Sequence, residues 1–184
     1  DQLLIATGAS PIKPPVEGLD LPGVHHCWTL EDARKIIELA HEGADVVLIG
    51  AGFIACIILE SLVERGVNLT VVEMEDRMLP RMMDETGGDM IKRWCEKKGV
   101  NVRTGARVTK LEPRSSDGED TLTVDIDNGD QLPAHLVVVA AGVKSNTGFL
   151  DSSAVEVKTG IVVDNHLRSS VSNIYAAGDC AEGP

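Results

Sequence analysis

Six consecutive residues, Gly50-Ala51-Gly52-Phe53-Ile54-Ala55, carry the strongest chemical signal in the sequence. They fit G-x-G-x-x-G/A, a turn whose small residues bring backbone amides up to a diphosphate. Gly50 permits the sharp turn, Gly52 removes the Cβ that would block the ligand, and Ala55 lets the following helix approach the preceding strand. The start of that helix offers free N–H groups and about half a unit of positive charge. The second part of the signal is Glu73, 23 residues after Gly50. That is near the ~20-residue separation of an acid that accepts hydrogen bonds from an adenosine ribose. Met74-Glu75-Asp76 follows, with Arg77 as the nearby cation. A 2′-phosphate there would face three carboxylates, and like charges ~4 Å apart cost about 4 kcal/mol at an effective dielectric near 20. The pattern points to NAD(H) rather than NADP(H). The bland alternatives are a ligand-free glycine turn and a solvated acidic strand end.

The surrounding elements must hold these groups in place. Val46-Val47-Leu48-Ile49 is a continuous apolar run, expected of a parallel strand covered on both faces. Phe53 to Arg65 reads as a helix stopped by Gly66, and Leu69–Val72 as the next strand. Earlier, Leu3–Ala6 reads as a buried strand, and the proline-rich stretch from Ser10 to Gly23 as a connector. Thr29 and Asp32 have the spacing of a capping box, with Ala33, Ile36, Ile37 and Ala40 as the buried stripe behind it and Gly43 as the stop. A further helix is expected from about Asp84 to Lys98, with Met90, Ile91 and Trp94 as its apolar stripe and its first turn weakened by Gly87 and Gly88. Val100–Arg103 is the third strand.

Beyond it the period changes. Arg107–Pro113, Thr121–Asp127 and Asp130–Pro133 read as strands, the last two joined at Asn128-Gly129, a tight-hairpin signal. Ser115–Asp120 reads as a loop. Leu136–Ala140 returns to a buried strand, and Ile161–Val163 and Ile174–Ala176 are short strands between turns. The fold class is therefore α/β: a Rossmann-like, doubly wound parallel sheet with an antiparallel β-meander insertion.

The composition bounds the partners. In 184 residues, 17 Lys plus Arg against 29 Asp plus Glu give a net charge of −12, which disfavours nucleic acid and anionic membranes. At 43% hydrophobic residues the chain is globular rather than disordered. The sequence contains no 18-residue apolar span and opens on no signal-peptide pattern. Cys27, Cys56, Cys95 and Cys180 form no C-x-x-C, so a reducing, cytoplasmic setting without structural zinc is expected. The chain opens inside a strand without methionine and reads as a piece of a longer protein.

Other reactive residues read as structural. Cys56 lies on the first turn of the nucleotide helix, where thiol pKa falls, but it sits in an apolar run and is expected to be buried. Cys180 reads as a bystander, and Cys27 and Cys95 as ordinary thiols. His25-His26 would point oppositely in an extended segment, which disfavours a shared metal. Trp94 reads as core, and Met78, Met82, Met83 and Met90 as gap-filling side chains.

Four motifs in order resemble the pyridine nucleotide-disulfide oxidoreductase superfamily, the flavoproteins with two dinucleotide-binding domains. Besides Gly50–Ala55 these are Leu3-Leu4-Ile5-Ala6-Thr7-Gly8-Ala9-Ser10-Pro11, Ala140-Ala141-Gly142-Val143-Lys144-Ser145-Asn146, and Ile174-Tyr175-Ala176-Ala177-Gly178-Asp179-Cys180-Ala181-Glu182. Thr29-Leu30-Glu31-Asp32-Ala33 is similar to a helix start in the NADH oxidase, nitrite reductase and ferredoxin reductase-like members. The resemblance implies an FAD-domain segment at 1–12, an NAD(H)-binding domain at 13–148 and an FAD-domain return at 149–184, so that the strands flanking the central sheet belong to an incomplete FAD domain. It implies cofactor contacts from Gly50, Gly52, Phe53, Ile54, Ala55, Glu73 and Gly142 to NAD(H). Contacts to FAD are implied from Thr7, Gly8, Gly178 and Asp179, the last toward the ribityl chain. It also implies an FAD-binding half and a C-terminal interface domain, and hence a homodimer, in the parent protein. Two departures stand out: Ile57 replaces a glutamate that members carry beside the nicotinamide, and Ser145 and Ser172 stand where proline is common.

The expected function is that of the NAD(H)-binding part of an FAD-dependent NADH oxidoreductase, which is inactive alone and binds NADH weakly at best. The final acceptor could be oxygen, a disulfide, a small iron–sulfur protein or a nitrite-reducing centre. The alternative is a nucleotide-binding scaffold or sensor without turnover, a reading that Ile57 makes less idle.

Overall fold

The computed structural model describes residues 1–116 and 119–184. Along the chain, β1 (Leu3–Ile5), β2 (Ala9–Pro11) and β3 (Val24–His26) precede α1 (Leu30–Leu39). Then come β4 (Asp45–Ile49), α2 (Phe53–Glu64), β5 (Asn68–Glu73), α3 (Glu85–Lys97) and β6 (Asn101–Thr104). A meander follows, β7 (Val108–Ser116), β8 (Glu119–Ile126) and β9 (Gln131–Ala134), and then β10 (Leu136–Val139). The last strands are β11 (Val143–Ser145), β12 (Ile161–Val162), β13 (Ile174–Ala176) and β14 (Ala181–Glu182). No helix among the described residues is long and apolar enough to cross a membrane.

The chain forms two compact units, residues 13–142 and residues 1–12 with 143–184. The changeover thus falls after Gly142, ahead of residue 148, because Val143–Ser145 pairs antiparallel with Ala9–Pro11.

In the unit 13–142, five parallel strands are ordered β3-β10-β4-β5-β6. The even-numbered β4 side chains Val46 and Leu48 join Val71, Leu136 and Val138 under the three helices. Val47 and Ile49 join Val72, Val137 and Val139 under the three-stranded antiparallel sheet β7-β8-β9. Helices therefore cover one face and the meander covers the other, which is why β4 and β10 read as unbroken apolar runs. Full burial of one such Val or Leu contributes about 1.5–3 kcal/mol.

The local signals act as expected at α1. The Thr29 side chain accepts the Asp32 amide, and the Asp32 carboxylate accepts the Thr29 amide. The stripe is narrower than the sequence pattern, however: Ile36 and Ala40 are buried while Ile37 is 52% exposed. Leu39 takes its place against the core. Ile37 lies one residue past Ile36, about 100° around the helix and off the sheet.

Helix α3 brings a larger correction. Met90 and Trp94 face solvent, as do Met82 and Met83 in the preceding segment; only Met78 of this group is buried. The row that faces the core is Gly88, Ile91 and Cys95. Gly88 sits so close to the preceding loop that an added methyl would lie 2.8 Å from Arg77 Cβ and 2.9 Å from the Met78 carbonyl oxygen. Small residues let the helix settle on that face, which rolls the large apolar ones outward. Trp94 instead stacks under the Lys98 ammonium, 5.7 Å from its ring centre.

The segment Ser115–Asp120, expected as a loop, is largely strand: Ser115 pairs with Asp120 and Ser116 with Glu119. Residues 117 and 118 lie outside the described residues. Backbone pairing between two long strands overrides the polar composition that suggested a loop.

In the other unit, β1 pairs parallel with β13, and β12 parallel with β14, around Ile5, Val155, Ile161, Val163, Ala176 and Cys180.

Candidate functional site

Within the unit 13–142, the direction in which strands are added reverses between β4 and β10: β5 and β6 lie to one side, β10 and β3 to the other. Ligands of open parallel sheets bind beyond the carboxyl ends of the strands at such a point. Gly50 leaves β4 there and Gly142 follows β10 there, and both have φ of +99°. Gly50 is required by the fold itself. A methyl at this position would lie 2.6 Å from the Ala140 carbonyl oxygen, where β4 and β10 end side by side.

Gly52 is different. It has φ −76° and ψ −171°, an extended backbone open to any residue, and caps the N-terminus of α2. A methyl added to it would meet nothing within 4 Å. No packing demand of the described residues explains this glycine. The space its missing side chain leaves lies over the helix start, where the first amides have no intrahelical acceptor. The helix ladder begins only with the Cys56 amide donating to the Gly52 carbonyl. The first turn, Phe53-Ile54-Ala55, carries no acid to compete for those amides. Ala55 is buried against the sheet, whereas Phe53 and Ile57 are exposed one turn apart on the outer face of α2.

Glu73 ends β5 beside the turn and is 6% exposed. Its Oε2 accepts the Ala51 amide at 2.6 Å and its Oε1 accepts the Glu75 amide at 2.9 Å. It is thus no solvated strand end. Two backbone amides hold the carboxylate, and each oxygen keeps a further lone pair for a hydroxyl donor. Met74, Glu75 and Asp76 are exposed, so the three acids separate into one buried and two at the surface. Arg77 turns away from Glu73: its guanidinium pairs with Asp76 at 2.6 Å and donates to the Met83 carbonyl at 3.1 Å.

Cys56 is half-buried behind the turn, and burial pushes its thiol up to about 11. Desolvation outweighs the helix end. A cavity of about 180 Å³ lies at the other, N-terminal end of β4–β6, lined by Asp45, Asn68, Thr70 and Asn101 among others. It contains none of the residues of the turn.

The structure brings the other sequence-read residues together in the second unit. Thr7 and Gly8 follow β1, and Gly178 and Asp179 follow β13, its parallel partner, with Ile5 opposite Ala176. Gly8 and Gly178 have φ of +66° and +78°. Asn146 ties this end: its side chain donates to the Thr7 carbonyl at 3.0 Å and accepts from the Ser10 hydroxyl at 2.8 Å. The Thr7 hydroxyl donates back to the Asn146 carbonyl at 2.8 Å. Ser145, which reads from the sequence as a minor loop change, donates its hydroxyl to the Asp179 carbonyl at 2.8 Å. The Asp179 carboxylate is left exposed.

A family model described as pyridine nucleotide-disulphide oxidoreductase matches residues 1–184. The chain is 37% identical over 177 residues to the epsilon subunit of the NADH-dependent phenylglyoxylate dehydrogenase of Aromatoleum evansii, covering 96% of this chain and 41% of that protein. Among solved structures, the NAD-dependent persulfide reductase from A. fulgidus superposes with a TM-score of 0.87 at 41% identity, covering 99% of this chain and 34% of that one. An engineered water-forming NADPH oxidase bound to NADPH superposes with a TM-score of 0.88 at 28% identity, covering 98% of this chain and 39% of that one. Its engineering replaces a glycine by alanine and, eighteen residues on, an aspartate by alanine. The next two residues become arginine and serine, and a proline seven residues after the aspartate becomes arginine. The chain spans about two fifths of the length of the curated relative.

Proposed function

Because the chain belongs to the pyridine nucleotide-disulphide oxidoreductase family, we propose that residues 13–142 bind NAD(H), and that Thr7, Gly8, Gly178 and Asp179 contribute to an FAD site. In the full-length protein, hydride then passes from NADH to the flavin. The observation that carries this reading is Gly52, a glycine that no packing demand of the described residues explains, capping a helix whose first amides have no intrahelical acceptor.

Each residue has a binding role. The amides of Gly52, Phe53, Ile54 and Ala55 hold the diphosphate, aided by the positive end of α2. Glu73 keeps the turn in shape through Ala51 and accepts a hydrogen bond from the adenosine ribose with its remaining lone pairs. Gly142, which follows β10 with φ of +99°, lies toward the nicotinamide half. Asp179, exposed beside Gly178, accepts from hydroxyls of the flavin side chain. When bound, the flavin supplies the redox chemistry.

The choice between NADH and NADPH rests on residues 73–75. At the separations of the engineered oxidase's substitutions, this chain has Ala55, Glu73, Met74, Glu75 and Pro80. It keeps an acid where the NADPH-binding form lost one, and has no arginine at the two positions where that form gained them. Ala55 has the alanine found at that separation in the engineered form, and its methyl is buried in the core beneath α2.

Titration of the full-length protein with NADH and NADPH tests this reading. NADH is expected to bind at least tenfold more tightly. Tighter NADPH binding would overturn the assignment to Glu73, and failure of both would remove the dinucleotide reading.

A further inference from the structure

The loop between β5 and α3 contains the outlier Leu79, a leucine with φ of +50° immediately before Pro80. The left-handed region is unfavourable for a residue with a Cβ, and a following proline restricts its neighbour further, toward extended conformations. Such strain persists only where its surroundings enforce it, and it tends to gather at functional sites.

The surroundings are specific. The Leu79 amide donates to the Ala51 carbonyl at 2.9 Å, and the Leu79 carbonyl accepts the Met82 and Met83 amides, both at 2.9 Å. Met78 is fully buried, and Gly88 of α3 presses on its carbonyl. The Arg77 guanidinium laces the same loop to the Met83 and Pro80 carbonyls.

We infer that Leu79 is a positioning residue for the diphosphate turn and acts through its backbone; the inference rests on the dinucleotide reading above. Ala51 lies between two glycines, the most flexible residues available. Its N–H is held by Glu73 and its C=O by Leu79, so its flanking peptide groups are fixed from opposite sides. The turn is thereby ordered when the protein folds, and the helix-start amides need no rearrangement to receive a diphosphate. Binding is tighter when a loop is already in its bound shape.

Leu79→Ala and Leu79→Gly isolate the backbone contribution, because both remove the same side chain and differ in tolerance of positive φ. In the full-length protein, calorimetric titration with ADP-ribose should show Leu79→Gly binding at least fivefold more tightly than Leu79→Ala. Equal affinities, or the reverse order, would overturn the inference, since side-chain packing alone predicts no such preference for glycine. A second measurement needs no variant. The Leu79 amide of the ligand-free protein should exchange with deuterium at least a hundredfold more slowly than a solvent-exposed loop amide, and exchange at the free rate would overturn the clamp. If the wild-type protein ignores ADP-ribose, the dinucleotide reading falls and the exchange measurement still decides the clamp.

Discussion

Glu73 accepts the amide hydrogen of Ala51 at 2.6 Å, so the acid ending one strand holds the turn that leaves its neighbour. Its other oxygen holds the Glu75 amide, and the side chain is buried. Hydrogen bonds to a charged group contribute about 1.5–3 kcal/mol, and leaving a buried donor unmatched costs a similar amount. Glu73→Gln turns an NH2 group toward one of these amides. It should lower stability by about 1–3 kcal/mol and weaken NADH binding in the same protein, as read from urea unfolding and a nucleotide titration.

The two glycines of the turn should behave oppositely. Gly52→Ala meets no described atom within 4 Å and has an ordinary φ, so stability should hold or rise by up to about 1 kcal/mol, while NADH affinity falls at least tenfold. Gly50→Ala must push against the Ala140 carbonyl at φ +99° and should destabilise by several kcal/mol, of the order of other strained-backbone changes. Thermal unfolding alongside titration separates the two. A Gly52→Ala protein that binds NADH normally would contradict the diphosphate assignment.

Cofactor preference should be adjustable at the surface. Met74 and Glu75 are exposed, so Met74→Arg with Glu75→Ser leaves the core and the Glu73 hydrogen bond to Ala51 intact. The double variant should shift the ratio of NADPH to NADH affinity at least tenfold toward NADPH, through an added cation and a removed acid. An unchanged ratio would show that the ribose lies elsewhere.

Glu182 links acidity to the stability of the unit that contains Thr7 and Asp179. The Gly160 amide, then the Thr159 hydroxyl and amide, donate to its carboxylate and hold it below the ordinary glutamate range. A depressed carboxyl stabilises the folded state above its unfolded pKa, and that contribution is lost as pH falls through the lower, folded value. The thermal midpoint should therefore decline more steeply below about pH 4.5 in the wild type than in Glu182→Gln, which lacks the titrating group. Parallel curves would contradict this.

Cys56 should be unreactive despite its place at a helix start. With its thiol at about 11, the thiolate fraction at pH 8 is roughly two hundredfold below that of a free cysteine near 8.5. Iodoacetamide should alkylate it at least a hundredfold more slowly than a small-molecule thiol, as followed by peptide mass spectrometry. Rapid labelling of Cys56 in the folded protein would refute the burial argument.

What was legible in the residues was mostly short-range. The capping box of Thr29 and Asp32, the Asn128-Gly129 hairpin, the apolar runs of β4 and β10, and the glycine turn with an acid downstream each depend on neighbours within one element or one strand–helix–strand unit. Such signals survive without knowledge of the rest of the chain, because caps, turns and alternation are set by local backbone geometry. Tertiary structure decided which way each helix rolls and which polar groups are already occupied. Met90 and Trp94 turned outward because Gly88 and Cys95 allow a closer approach on the other side. Gly50 owes its identity to a carbonyl 90 residues later, and Glu73 carries two amides that no spacing rule names. Packing distance and hydrogen-bond occupancy belong to pairs of groups far apart in sequence, so they exist only after the sheet has assembled.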